Sequence, residues 1–185
     1  MTITWKDVPG WFSWPAIYDD AIARAPQSGA LFVDVGVFCG RSVIYLAQKA
    51  MEAGKDIRID AVYDYSRSFG LTPDATRAFF EVCGVTDKIT LRTGRPAAQA
   101  TAYADDSIDM LYLDCDHSYE AMVAVISAFL PKVKSGGVIA GDDYTDKWPG
   151  VIRAVTELLP NAQVIDCTDG LTPETKGTTF RWVKP

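Results

Sequence analysis

The sequence predicts an α/β fold: a doubly wound, mostly parallel seven-stranded sheet with helices on both faces. Three observations predict it. Seven short apolar runs of strand character alternate with longer stretches of helical periodicity. No repeat, low-complexity tract or Gly/Ser/Pro linker interrupts the 185 residues, a length suited to a single domain with one sizeable core. Regular strand–helix alternation implies right-handed crossovers and a sheet covered on both faces.

Taken in order, Leu31–Val37 is the first strand. Ser42–Ala53 follows as a helix, with Val43, Leu46, Ala47 and Ala50 at helical spacing and Gly54 just past its end. Ile57–Tyr63 is the second strand, and Thr72–Cys83 the next helix, opened by Thr72 as cap and Pro73 in the first turn. Lys88–Arg92 is the third strand, followed by a shorter helix over Pro96–Tyr103. Ile108–Asp114 is the fourth strand, followed by the helix Tyr119–Val133. Gly136-Gly137 turns into the strand Val138–Gly141, and a helix over Gly150–Leu159 precedes the terminal strands Ala162–Asp166 and Thr178–Val183. The whole chain, 1–185, reads as one domain. Residues 1–29 form an aromatic-rich helical segment and residues 30–185 the α/β core.

A net charge of −6 argues against a broad nucleic-acid surface, which needs clustered Lys and Arg to displace counterions. No apolar run approaches the roughly 20 residues of a membrane span, and the N-terminus has no signal pattern. The cysteines Cys39, Cys83, Cys115 and Cys167 are scattered without a C-x-x-C pair, as expected for reduced, mostly buried thiols in a cytoplasmic protein. The composition leaves oligomeric state open.

In a sheet of this class, ligands bind beyond the carboxyl ends of the strands, so the residues there carry the chemistry. The first strand ends in Asp34-Val35-Gly36-Val37-Phe38-Cys39-Gly40-Arg41-Ser42. Gly36 and Gly40 permit a tight turn and close backbone approach. Their spacing is G-x-x-x-G and not the G-x-G-x-x-G that cradles a pyrophosphate, which disfavours an NAD-dependent oxidoreductase. A carboxylate at Asp34 suits a cationic ligand end and would repel phosphate. The second strand ends at Asp64-Tyr65, where an ionised carboxylate accepts both hydroxyls of a ribose. The turn Gly94-Arg95 after the third strand is placed to flank an adenine ring.

Tyr112-Leu113-Asp114-Cys115-Asp116-His117-Ser118-Tyr119 and Gly136-Gly137-Val138-Ile139-Ala140-Gly141-Asp142-Asp143-Tyr144 bring four carboxylates to the ends of the fourth and fifth strands. Like charges this close repel and raise one another's pKa. A hard divalent cation such as magnesium relieves the repulsion, with Asp114, Asp116, Asp142 and Asp143 as candidate ligands. The alternative is local capping by Asp116 or Ser118 and a solvated Asp-Asp turn. His117, the chain's single histidine, is a candidate general base beside these acids. The acids raise its pKa, which leaves less free base unless a metal neutralises them.

These segments resemble the class I S-adenosylmethionine-dependent methyltransferases. The likeness is to the small-molecule and sugar O-methyltransferase branch with D-x-D-H-S-Y and G-G…D-D-Y segments, and it covers about residues 30 to 155. It implies a Rossmann-like methyltransferase fold and transfer of a methyl group to a small-molecule acceptor. It implies that Asp34, Gly36 and Gly40 contact the cofactor and that Asp64 holds its ribose; Val37, Phe38, Ser42, Tyr65, Gly94, Arg95 and Asp114 complete the candidate cofactor set. It also implies a divalent ion on Asp114 (or Asp116), Asp142 and Asp143, with Asp116 or His117 taking the acceptor proton. The chain departs from the pattern after the third strand, where Gly94-Arg95-Pro96 stands in place of Gly-Asp-Ser. It also has no inserted acceptor domain. That leaves the acceptor side to the loop 143–150 and to the N-terminal aromatics Trp5, Trp11, Phe12, Trp14 and Tyr18, which read either as a segment packed on the sheet or as a lid joined by Tyr144 and Trp148.

Overall fold

Residues 3–68, 70–168 and 176–185 are described by a computed structural model of the chain. After a 3-10 turn at Trp5–Asp7 the elements run α1 (Pro15–Arg24), β1 (Ser28–Val35), α2 (Arg41–Glu52), β2 (Asp56–Tyr63), α3 (Pro73–Val82) and β3 (Ile89–Thr93). They continue with α4 (Pro96–Gln99), β4 (Ile108–Leu113), α5 (Tyr119–Phe129), β5 (Val133–Gly141), α6 (Pro149–Leu158), β6 (Gln163–Thr168) and β7 (Lys176–Val183). The strands form one seven-stranded sheet in the order β3-β2-β1-β4-β5-β7-β6. The β3-β2-β1-β4-β5 part is parallel, and β7 runs antiparallel to both its neighbours. This is the predicted doubly wound, mostly parallel architecture.

Successive side chains on a strand point to opposite faces, and the central strands bury both. Phe32, Tyr112, Val138 and Ala140 pack with the layer that holds Trp14, Tyr18, Val43, Leu46 and Phe80. Leu31, Val33, Val35, Leu111, Leu113 and Ile139 pack instead with Met122, Val125, Ile126, Phe129, Val151 and Val155 of α5 and α6. Cys39, Cys83 and Cys167 are buried free thiols, and Cys115 is half-buried. No helix among the described residues is long and apolar enough to cross a membrane.

Several element ends differ from the sequence reading, each for a local reason. β1 stops at Val35, two residues early, because Gly36 takes φ +110° and turns the chain. α5 gives way at Leu130–Lys132 to a 3-10 turn, since Pro131 cannot donate a helical hydrogen bond. The Pro96–Tyr103 helix is one α turn, Pro96–Gln99, followed by a 3-10 turn at Ala100–Ala102. Gly136-Gly137 does not precede β5 but lies inside it, at a register shift against β4. A Cβ at Gly137 would sit 2.8 Å from Val133 Cγ1, so the irregular strand needs glycine there. Among the described residues of the N-terminal segment, only Pro15–Arg24 is α-helical.

The register aligns the strand ends that matter. Val35 lies beside Val62 of β2 and Leu113 of β4, and Leu113 lies beside Gly141 of β5. The ladder continues one step further through Gly36 N to Val62 O (2.8 Å), Asp114 N to Val35 O (2.7 Å) and Asp142 N to Leu113 O (3.1 Å). Gly36, Asp114 and Asp142 therefore leave the sheet at one level. Their approach is close: a Cβ on Gly36 would lie 1.5 Å from the Asp114 carbonyl oxygen. Gly36→Ala is expected to destabilise the protein by about 3 kcal/mol or more, since backbone faces backbone and neither yields cheaply. Gly29→Ala, also at positive φ (+83°) but with nothing within 4 Å, should cost only about 1 kcal/mol. Urea unfolding of both variants checks this, and equal losses would show that the approach at Gly36 is not what demands glycine.

Candidate active site

The common strand-end level opens into a cleft of about 1390 Å³. Of the sequence-predicted residues, Gly36, Phe38, Asp64, Asp114, Asp116, His117, Asp142 and Asp143 line it. Asp64 stands just past β2, where its Oδ1 accepts from Ser66 N (3.1 Å) and Ser66 Oγ (2.7 Å). Phe38 lies at φ +48°, a conformation seldom held by a bulky side chain. Its ring is 6.0 Å from that of Trp11 and 6.4 Å from that of Tyr63.

The remaining predicted cofactor residues stand behind the wall. Asp34, 2% exposed, accepts hydrogen bonds from Tyr18 Oη (2.5 Å) and Ser42 Oγ (2.7 Å). Burial pushes its pKa up to about 7, against the pull of those two hydroxyls. Its carboxyl therefore ties α1 and α2 to β1 beneath the loop. Gly40, in the left-handed region at φ +91°, makes room for Phe80, whose ring would lie 2.5 Å from an added Cβ. Val37 is buried in the core, and Tyr65, Gly94 and Arg95 lie off the cleft wall, where Pro96 is the contributor from that loop.

Beyond β4 and β5, Asp114, His117 and Asp143 gather so that one ligand atom from each lies within 4.8 Å of the others. His117 Nε2 is 2.8 Å from Asp143 Oδ2 and 3.7 Å from Asp114 Oδ1, ion-pair contacts without directional hydrogen-bond geometry. The two carboxylates, Asp114 and then Asp143, hold the imidazole's pKa up at about 9 despite its burial. Burial, then the Asp114 charge, pushes Asp142 up to about 7, and its Oδ1 is buried without a partner. Burial also raises Asp114. Asp116 is turned differently: its Oδ1 accepts from Ser118 N (2.9 Å), and Ser118 in turn caps α5 through Ala121 N (3.3 Å). The predicted four-carboxylate group thus appears as two aspartates around a histidine, with Asp142 adjoining and Asp116 partly spent on the helix start.

The N-terminal segment divides between the two readings of it. Phe12, Trp14 and Tyr18 are core: Trp14 stacks on Tyr112 (4.7 Å) and Phe12 packs on Tyr45 (4.9 Å). Trp11 is 84% exposed, and Gly10–Ser13 line the cleft, so the stretch ahead of α1 also forms part of its wall. On the opposite side Trp148 stacks on His117 (4.4 Å), while Tyr144 turns away to Phe180. Lys147 lines the cleft from the loop 143–150 expected on the acceptor side, whereas Arg41 was missed as a lining residue. Nothing in its spacing marks it, because only the fold brings it to the cleft. Tyr45 and Lys49 have the Tyr-x-x-x-Lys spacing found in nicotinamide-dependent oxidoreductases. The Tyr45 hydroxyl, however, donates to Asp19 (2.7 Å), and neither residue lines the cleft.

A family model described as a methyltransferase domain matches residues 33–144, which span β1 through the loop after β5. The chain belongs to that methyltransferase-domain family. Among solved structures, cofactor-bound Rv0187 from MTB superposes with a TM-score of 0.71 at 20% identity, over 96% of this chain and 84% of that one. The O-methyltransferase TomG from Streptomyces achromogenes, solved in complex with SAM, gives 0.65 at 19% identity over 92% and 79%. CalS11, a TDP-rhamnose 3′-O-methyltransferase of calicheamicin biosynthesis, gives 0.61 at 21% over 91% and 76%. These likenesses show the shared Rossmann-like methyltransferase fold. An uncharacterised protein of Acanthamoeba polyphaga mimivirus is 35% identical over 60 residues, 31% of this chain and 27% of that protein's length.

The His117 cluster has a consequence for stability. The folded protein keeps the imidazole protonated up to about pH 9, whereas the unfolded chain does so only to its ordinary value near 6.5. The ion pairs therefore contribute stability that is complete below about pH 6.5 and lost as pH rises through about 9. With a chelator present, the melting temperature is expected to fall between pH 6.5 and 9, and His117→Gln to flatten that window. Asp34 and Asp142, each pushed up to about 7, also titrate at the lower end of this window, so the His117 contribution is read from the slope toward pH 9. Identical slopes in the two proteins would remove His117 as the source.

Proposed function

We propose that the protein transfers the methyl group of S-adenosylmethionine to a hydroxyl oxygen of a small-molecule or sugar acceptor, with a divalent cation such as magnesium at the acid cluster. The observation that carries this reading is convergence: the glycine turn after β1, the acid after β2 and the acids after β4 and β5 all line one cleft. Family membership and the O-methyltransferase fold relatives support it. The residues fit both groups. Asp64 presents a carboxylate at the second strand end, where ribose hydroxyls are received. Asp114 and Asp143 already hold a cationic imidazolium, and the buried, unpartnered Asp142 Oδ1 adjoins them. Oxygen donors of this kind suit a hard cation.

When bound, the sulfonium presents an electrophilic methyl, and a cation on the acids acts as a Lewis acid on the acceptor hydroxyl. The chain's own contribution is positioning. Gly36 and Phe38 wall the cofactor side, and Lys147 and Trp148 wall the acceptor side. Holding two reactants in line is worth up to roughly 7–11 kcal/mol of barrier. Asp114, Asp142 and Asp143 would hold the cation, and with those carboxylates engaged His117 would be free to take the acceptor proton, since the charges that keep its imidazole protonated would be neutralised. Asp116 is the alternative acceptor of that proton, since it lines the same cleft.

The test is a mass-spectrometric screen of phenolic and sugar hydroxyl acceptors with S-adenosylmethionine, run with magnesium and with chelator. A methylated product that depends on the cation is expected. Asp143→Asn should cut cation-dependent turnover, and His117→Gln should lower it by about 10²–10⁴-fold while S-adenosylhomocysteine still binds. Turnover at the wild-type rate in His117→Gln would move the base role to Asp116. No calorimetric binding of S-adenosylhomocysteine to the wild type would end the reading.

A further inference from the structure

Arg41 is the first residue of α2 and lines the cleft beside Gly10 and Phe38. Its Nη1 donates to the Gly10 carbonyl (2.7 Å), and its guanidinium carbon lies 5.4 Å from the centre of the Trp5 ring. Its Nε is buried and has no hydrogen-bond partner. Arg92, Arg153 and Arg181 each hold a carboxylate, but no described carboxylate pairs with Arg41. A guanidinium with a desolvated, unused N–H costs stability unless a ligand satisfies it. Its planar fork matches a carboxylate better than any other common anion except phosphate.

The layout of the cleft says which anion. Asp64 takes the ribose at the end of β2, and the reacting end faces the acids beyond β4 and β5. In the order β2-β1-β4, what remains lies over the end of β1, between the 36–40 turn and Gly10–Ser13. Arg41 stands there. Lys147, the cleft's lysine, lies on the far side over Trp148 (5.1 Å), next to the aspartates. We infer that Arg41 receives the α-carboxylate of the cofactor's methionine tail and so sets the cofactor's reach from Asp64 to the acid cluster. This rests on the cofactor reading above and adds to it the residue directly after Gly40, to which the sequence reading gave no role.

The test compares two ligands by calorimetry. S-adenosylhomocysteine carries the amino-acid tail, and 5′-methylthioadenosine keeps the adenosyl group without it. Arg41→Gln is expected to weaken S-adenosylhomocysteine by about 10- to 100-fold, the range for a hydrogen bond between charged groups. Methylthioadenosine should be left unchanged. Arg41→Lys, which keeps the charge and loses the fork, should recover part of the loss. Melting curves show that each variant is folded, and Arg41→Lys carries the comparison if Arg41→Gln is not. Equal weakening of both ligands would overturn the inference and leave Arg41 a structural pin on Gly10. No weakening of either would overturn it as well. A wild type that binds neither ligand would instead overturn the cofactor reading beneath it.

Discussion

The site depends on one backbone contact, the approach of Gly36 to the carbonyl of Asp114. With a side chain at position 36 the ends of β1 and β4 would be forced apart, because the added carbon would fall 1.5 Å from that oxygen. Without one, the parallel ladder runs a residue past the last paired strand positions, and Asp114, Asp142 and the 36–40 turn emerge at the same level. The second glycine of the pair, Gly40, does the same for α2 by letting it settle against Phe80. What looks in sequence like a loop made for a ligand is, in structure, first a means of closing the protein on itself. The cleft is the space left over.

The second constraint is electrostatic. Burial and mutual repulsion make Asp114 and Asp142 poor anions, and the fold answers with a histidine held as a cation between Asp114 and Asp143. The same carboxylates would serve the imidazolium or the proposed divalent ion, but not both at full strength, so occupation by one would change the charge available to the other. Asp34 shows a different solution to the same problem. It is fully buried, and two hydroxyls from separate helices satisfy it.

Much of this was legible in the sequence. The apolar periodicities mark seven strands along the chain, because central parallel strands must be apolar on both faces and their crossover helices on one. Asp64, Asp114, His117, Asp142 and Asp143 were legible because strand ends point at the ligand side in any doubly wound sheet. Three things were not. The hydrogen bond from Tyr18 to Asp34 joins residues 16 positions apart, and no local pattern announces it. The split of the N-terminal aromatics into a buried Trp14 and an exposed Trp11 depends on where the chain crosses the sheet edge. Arg41 reaches the cleft only because Gly10 folds back onto α2.

The central claim is that these strand ends build a single pocket for an adenosyl cofactor beside a cation. A crystal structure with S-adenosylhomocysteine and manganese tests it most directly. The account expects the ribose hydroxyls on Asp64 and an anomalous peak among Asp114, Asp142 and Asp143. Ligand density away from the β1–β4 edge, or a metal peak remote from those aspartates, would contradict it.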